Sequence, residues 1–303
     1  MTTLNENGLG YLDRVNELMS GRCIDTTRDW AFKKLFSIEK FLVSFLNCLL
    51  RRPEDNPITS LTYLQQEHPA LAQDGHVCRF DILCRTQDGE TIHIEVQNHS
   101  EANFEDRLMF YSALSIDKQG KKWRYQLRPH YTVAICNFTM PHESENDGKY
   151  SYSYMMREED SVRDVLTDAL NVIIVELPKF GNAGEECNTL LKKWLFLLRN
   201  MHNLTPKEID TMFTEEILKE FVDKATYEKL SDDEKIAYIM TIYDENARRY
   251  DIEDRIEKGY NKGREEERMS VAKNLLAMGL PMQKIADATK LSEEEIMALK
   301  KEI

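Results

Sequence analysis

Apolar residues first recur at helical spacing between residues 29 and 50. In DWAFKKLFSIEKFLVSFLNCLLRR, Phe32, Leu35 and Phe36 form one stripe, and Phe41, Leu42, Phe45, Leu46 and Leu49 form the next. The interval between them predicts two helices, with Ser37 as cap of the second. Pro53 ends the run, because proline cannot continue the hydrogen-bond ladder. The pattern then changes to strands. ITSLTYLQQE predicts a first strand, and RFDILCRT and ETIHIEVQ flank QDG as a hairpin. Helical spacing returns through Phe104, Leu108, Tyr111 and Leu114. YTVAICNF is a short apolar run of the kind that makes a buried strand. YSYSYMM alternates, NVIIVELP predicts a further strand, and PHESENDGK reads as an exposed turn.

From about residue 184 the pattern is all-helical. CNTLLKKWLFLLRNM predicts one helix, and Thr205–Pro206 opens another, with the threonine as cap and the proline in the first position. The charged stretch that follows is only thinly apolar. Gly259 and Gly263 predict a break or loosening within it. The last segment, VAKNLLAMGLPMQKIADATKLSEEEIMALKKE, has a helix-turn-helix rhythm. Gly279 can end one helix, Pro281 can open the next and Ser292 can cap a third. Residues 1–27 are polar with scattered glycine and predict a loose or weakly helical arm.

Composition narrows the class. With 303 residues, 42% of them hydrophobic and 31% charged, the chain has the make-up of a soluble globular protein. A net charge of -13 argues against indiscriminate binding to nucleic acid. It leaves room for a nucleic-acid substrate held by local cations. None of the six cysteines forms a C-x-x-C pair, which excludes a zinc ribbon or a dithiol redox motif. Cys48, Cys84 and Cys136 lie in apolar runs and read as core residues. The N-terminus lacks a basic start followed by an apolar stretch, and no run of about 18 apolar residues occurs. The expectation is no signal peptide, no membrane span and a reduced, cytoplasmic setting.

The hairpin carries the chemistry. Glu95 and Gln97 are two apart on a strand and share a face. Asp81 joins them only if the loop has odd parity. A two-residue Asp88–Gly89 turn sets Asp81 opposite Val96, whereas a three-residue Gln87–Asp88–Gly89 loop sets it opposite Glu95. The longer loop suits a type I turn closed by a left-handed glycine. Opposed residues have Cβ atoms about 4.5–5.5 Å apart, and two carboxylates at that distance repel unless a cation lies between them. Such oxygen ligands suit Mg²⁺ or Mn²⁺. A solvated hairpin face is the default for charged residues. Against it stand the apolar neighbours Phe80, Ile82, Leu83, Ile94 and Val96, which make charge costly there.

Other clusters compete for attention. His93, Glu95, Gln97 and His99 alternate and could form a zinc set, although His99 falls past the expected strand end. Asp29 and Lys33 are one helical turn apart and can pair on the surface. In KQGKKWRYQLR, Lys118, Lys121, Lys122, Arg124 and Arg128 surround Trp123 and Tyr125, a mixture that tracks a phosphate backbone or simply forms a solvated loop. The third helix of the tail begins Glu293-Glu294-Glu295, which suits the helix dipole but repels phosphate, so the tail fits a protein partner at least as well as DNA.

DWAFKKLF, RFDILCRTQDGETIHIEVQ and FEDRLMFYSALSI, followed by YTVAICNF, resemble the PD-(D/E)XK nuclease family transposases, also called recombination-promoting nucleases. The resemblance covers roughly residues 25–180. It implies an α/β fold, a restriction-endonuclease-like mixed central sheet flanked by helices with an αβββαβ core, followed by an all-helical C-terminal region. It implies Asp81 as the motif's Asp, Glu95 as its Glu, Gln97 at its Lys position and Asp29 as the acidic residue of the first helix. Arg107, on the helix after the hairpin, is the candidate to supply the missing cation. The expected activity is Mg²⁺- or Mn²⁺-dependent hydrolysis of DNA phosphodiester bonds, with Asp81 and Glu95 holding the metal and Lys121, Lys122 and Arg124 on DNA. The alternative is a DNA-binding or assembly module that keeps the fold without turnover. Double-strand cleavage with one site per chain favours a homodimer. The expected layout is an arm at 1–24, a nuclease-like domain at 25–183, a helical extension with a charged helix or linker at 184–268, and a helix-turn-helix-like tail at 269–303.

Overall fold

The computed structural model describes residues 14–65, 67–68, 78–79, 81–117, 119, 126–142, 149–161, 163–180 and 187–302. The chain forms two compact units, Met1–Thr241 and Ile242–Ile303.

The first unit is built on a six-stranded mixed sheet. Its strands are β1 (Leu61–Tyr63), β2 (Ile82–Thr86), β3 (Thr91–Gln97), β4 (His130–Cys136), β5 (Ser151–Arg157) and β6 (Val165–Glu176), in the order β1-β2-β3-β4-β6-β5. The inner strands β3, β4 and β6 run parallel, and the three remaining pairings are antiparallel. Helices α1 (Asp29–Phe36) and α2 (Glu39–Leu49) precede the sheet, and α3 (Phe104–Asp117) joins β3 to β4. The expected αβββαβ core is present in that order. The segment ITSLTYLQQE is not one continuous strand: β1 stops at Tyr63, and Glu67–His68 pairs separately with Cys78–Arg79.

Ser37 differs from its expected role. It closes α1, with its hydroxyl donating to the Lys34 carbonyl at 2.7 Å, while Ile38 stands at the start of α2. So few residues separate the helices that the serine hydroxyl finds the last carbonyls of the first before any N–H of the second. The two helices bury their stripes as the pattern predicts. Phe36 lies 5.6 Å from Phe45, 5.5 Å from Phe221 and 6.1 Å from Trp194, ring centre to ring centre. Trp194 belongs to α4 (Leu190–Asn200) and Phe221 to α6 (Glu216–Ala225), so the later helices complete the core of the sheet's own unit. Between them, Thr205 and Glu208 form a capping box at the start of α5 (Pro206–Met212).

Of the loose or weakly helical arm expected, the described part is the helical form and is well ordered. Residues 14–19 are helical, and Cys23, Ile24, Thr26 and Thr27 are buried. Ile24 N donates to Ala225 O at 2.8 Å and Asp25 N to the Tyr238 hydroxyl at 2.9 Å. Few apolar residues mark this stretch because its order comes from backbone pairing, which leaves no periodicity. Residues 1–13 lie outside the described residues.

The long charged segment is one helix, α7 (Asp232–Ala277), which starts in the first unit and ends in the second. It is continuous through Gly259 and Gly263, contrary to the expected break. A glycine costs a helix interior about 1 kcal/mol relative to alanine, too little to open it. The neighbouring i,i+4 pairs Asp251–Arg255, Asp254–Lys258 and Lys262–Glu266 work in the other direction. In the second unit, the end of α7 packs with α8 (Met282–Thr289) and α9 (Glu293–Glu302) around Ala272, Ile285, Leu291, Ile296 and Leu299. Gly279 takes the left-handed conformation that ends α7, and Ser292 and Glu295 exchange hydrogen bonds at the start of α9.

Candidate active site

The hairpin loop has three residues. Thr86 N bonds Glu90 O at 2.9 Å, Gly89 N bonds Thr86 O at 3.0 Å, and Gly89 has φ +83°, a region other residues rarely enter. The ladder pairs Ile82 with Ile94 and Cys84 with Ile92. Continued by one step, that register sets Asp81 opposite Glu95. Across the parallel strands Glu95 aligns with Ala134 and Ile174, and Gln97 aligns with Cys136 and Glu176. Ala134, Cys136 and Ile174 pack against Phe104 and Leu108 of α3. Glu95 and Gln97 therefore sit on the face that α3 covers, at the carboxyl ends of parallel strands, where open α/β sheets place their ligands.

Each carboxylate is held from two sides. Lys33 of α1 reaches Asp81 Oδ1 at 3.2 Å and Asp29 Oδ1 at 2.6 Å, while Val96 N donates to Asp81 Oδ2 at 2.8 Å. The expected surface pair Asp29–Lys33 thus extends inward to Asp81. His93 Nε2 lies 2.6 Å from Glu95 Oε1, and Gln97 Nε2 donates to Glu95 Oε2 at 3.2 Å. Burial lowers the His93 pKa to about 3, so the ring is neutral and its Nε2 shares a hydrogen bond with the Glu95 carboxyl. His99 lies past the end of β3 and is exposed, so the alternating His-Glu-His set does not converge.

The electrostatics follow from burial. Burial, then the charge on Glu95, pushes the Asp81 carboxyl well above the usual carboxylate range, against the pull of Lys33 and the Val96 N–H. Burial pushes Glu95 up as well, although Arg107, Gln97, Lys33 and the Asp81 N–H all favour its charged form. Burial opposes the Lys33 charge, but Asp81 and Asp29 outweigh it and raise the ammonium pKa. Arg107 is tied to Glu101 and lies over the Phe104 ring, and its Nη2 is buried with no hydrogen-bond partner among the described residues.

Asp81, Glu95, Gln97, Asp29 and Arg107 thus gather around the carboxyl edge of the sheet, where β3 ends. The sequence pattern did not reveal Lys33 as a partner of Asp81, or His93 as the hydrogen-bond partner of Glu95. Alternation had put His93 on the correct face, whereas nothing local links Lys33 to a strand far along the chain. Lys121, Lys122 and Arg124 lie outside the described residues. Among the described residues no three His, Cys, Asp or Glu side chains converge on one point. The donor set is two carboxylates and an amide, all with oxygen ligands, which suits a Mg²⁺-like ion that keeps most of its water. The like-charged buried pair is the kind of site such an ion relieves.

No curated protein and no solved structure matches the chain. The profile of the PD-(D/E)XK nuclease family transposases matches residues 26–257, which takes in the whole sheet, the hairpin and α1. With the mixed sheet, its flanking helices and the helical C-terminal region in place, the chain belongs to the PD-(D/E)XK nuclease family transposases.

Proposed function

We propose that the protein is a metal-dependent endonuclease that hydrolyses DNA phosphodiester bonds in recombination or transposition. One observation carries this reading: Asp81 and Glu95 are opposed in a buried place where both are pushed toward their neutral forms. Such a pair is costly to keep unless it serves a cation. Asp81 and Glu95 would hold Mg²⁺ or Mn²⁺, which, when bound, activates water and offsets charge on the phosphate.

The chain's own residues do the rest. His93 and Gln97 fix the two oxygens of Glu95, one hydrogen bond to each. Lys33 orients Asp81 and carries a positive charge to the edge where Gln97 replaces the usual lysine. Asp29 anchors the Lys33 ammonium from the solvent side. Arg107, whose charge favours the ionised form of Glu95, would meet a phosphate oxygen. Lys121, Lys122 and Arg124 supply backbone contacts to DNA. Five free cysteines among the described residues, and no described helix long and apolar enough to cross a membrane, go with a cytoplasmic setting.

A second reading, a DNA-binding or assembly module without turnover, draws on one observation. The Gln97 amide is turned onto Glu95, and an amide cannot replace an ammonium as a charge. Calorimetric titration with Mn²⁺ and nicking of supercoiled plasmid separate the readings. The nuclease binds Mn²⁺ in a manner that Glu95→Gln abolishes, and nicks only with metal. A wild-type chain that binds Mn²⁺ and DNA but leaves the plasmid intact is the module, and one that binds no metal ends the nuclease reading.

A further inference from the structure

Residues 247–267 of α7 are exposed on every side. A helix so bare normally keeps only polar residues outward. This one presents Ile252 at 55%, Ile256 at 66% and Tyr260 at 64% exposure. Ile252, Ile256, Gly259 and Gly263 follow one another at intervals of four, three and four residues and share a face. A Cβ added at Gly259 or Gly263 meets nothing within 4 Å, so the two glycines leave an open groove beside the isoleucines.

The charges of residues 251–264 divide in two, with Arg248 and Arg249 before them and Glu265, Glu266 and Glu267 after them. Residues 251–257 carry Asp251, Glu253, Asp254 and Glu257 against Arg255, a net of -4 +1 = -3. Residues 258–264 carry Lys258, Lys262 and Arg264, a net of +3. From this complementarity we infer that α7 pairs antiparallel with α7 of a second copy of the chain, about a two-fold axis between Glu257 and Lys258. That axis sets Ile256 against the partner's Gly259 and Ile252 against the partner's Gly263. Each isoleucine then fills the groove that a glycine leaves, and the missing side chains let the backbones approach. The same axis lays each acidic half along the partner's basic half. A parallel pairing would set acid on acid. The contact is self-complementary, as a two-fold interface must be. It depends on nothing at the catalytic edge.

Exchanging the two halves provides the test. The sixfold variant Asp251→Lys, Glu253→Lys, Glu257→Lys, Lys258→Glu, Lys262→Glu, Arg264→Glu keeps every side chain of the apolar face. Sedimentation equilibrium of the full-length chain should show a dimer for the wild type and for this variant. Native mass spectrometry of the mixture should show the two homodimers and no mixed dimer, because antiparallel pairing would then set like charge on like. A mixed dimer denotes parallel pairing and overturns the inference. Lys258→Glu, Lys262→Glu, Arg264→Glu alone should leave a monomer of unchanged helical circular dichroism. Gly259→Leu with Gly263→Leu, which favours the isolated helix but fills the groove, should also be monomeric. A monomeric wild type, or a dimer that survives both of these variants, overturns the inference.

Discussion

The carboxylate edge and the exposed middle of α7 are both rich in charge, and they use it in opposite ways. At the edge, Glu95 is 5% exposed and every neighbour is fixed: His93 and Gln97 on its oxygens, Asp81 across the hairpin, Lys33 beyond. Along α7, Asp254 and Lys258 pair with their side chains 53% and 75% exposed, and water screens them. Charge density alone would rank the helix above the hairpin. Environment reverses the order, because a carboxylate out of water must be compensated group by group, and compensation of that kind defines a site.

The largest effect should therefore come from the edge. Glu95→Ala is expected to lower metal-dependent nicking by more than ~100-fold, since even the outer partners of metal ligands cost up to that much when lost. Plasmid nicking at saturating Mn²⁺, with circular dichroism to show the fold retained, measures it. Retained nicking would mean that Glu95 is a structural acid and that the contrast between the two regions says nothing about catalysis.

His93→Leu tests whether the neighbours matter as well as the carboxylates. It leaves Glu95 in place but removes the 2.6 Å contact to Oε1. A loss of ~10–100-fold is expected in activity or metal affinity. Calorimetry that finds the affinity unchanged, with nicking equally unchanged, would reduce His93 to packing against Tyr111, 5.7 Å away.

The pH dependence of stability gives a smaller signal. In metal-free protein Asp81 and Glu95 bind protons more tightly when folded than when unfolded, where carboxylates titrate near about 4. Between that value and the raised folded values the native state holds more protons than the unfolded chain. Stability from this source is greatest below the window and falls as pH rises through it. Glu95→Gln removes part of that dependence, so the variant should gain on the wild type from pH 5 to pH 8. Urea unfolding midpoints in chelator across that range decide it. A wild type that gains on the variant as pH rises would show the ionised carboxylate to be favoured in the fold.

The hairpin was readable because its parity depends on local chemistry. Gly89 stands where a left-handed residue is required, and that one position decides which face Asp81 takes. The strands, α3 and the capping box at Thr205 were readable for the same reason: each depends on residues a few places apart. Lys33 was not, because its second partner arrives from a strand that only the tertiary fold brings close. The order before α1 was hidden in backbone pairing with residues around Ala225. Gly259 and Gly263 misled by a correct local rule, whose cost per glycine is too small to interrupt a helix laced with i,i+4 pairs.

The smallest effect belongs to that helix. Asp254→Ala removes the acid that pairs with Lys258 at 2.7 Å, one of the four in the acidic half, and leaves the isoleucines and glycines of the inferred two-fold contact in place. An exposed i,i+4 pair contributes about 0.3–0.5 kcal/mol, and alanine, the better helix former, returns a similar amount. Thermal unfolding should show no resolvable shift at moderate salt, where screening weakens the lost pair further. A shift comparable to that of Glu95→Gln would mean that Asp254 is out of water in the protein as it exists in solution. The surface covering it would then be larger than one antiparallel seam, and the division between a buried site and a solvated helix would have to be redrawn around that surface.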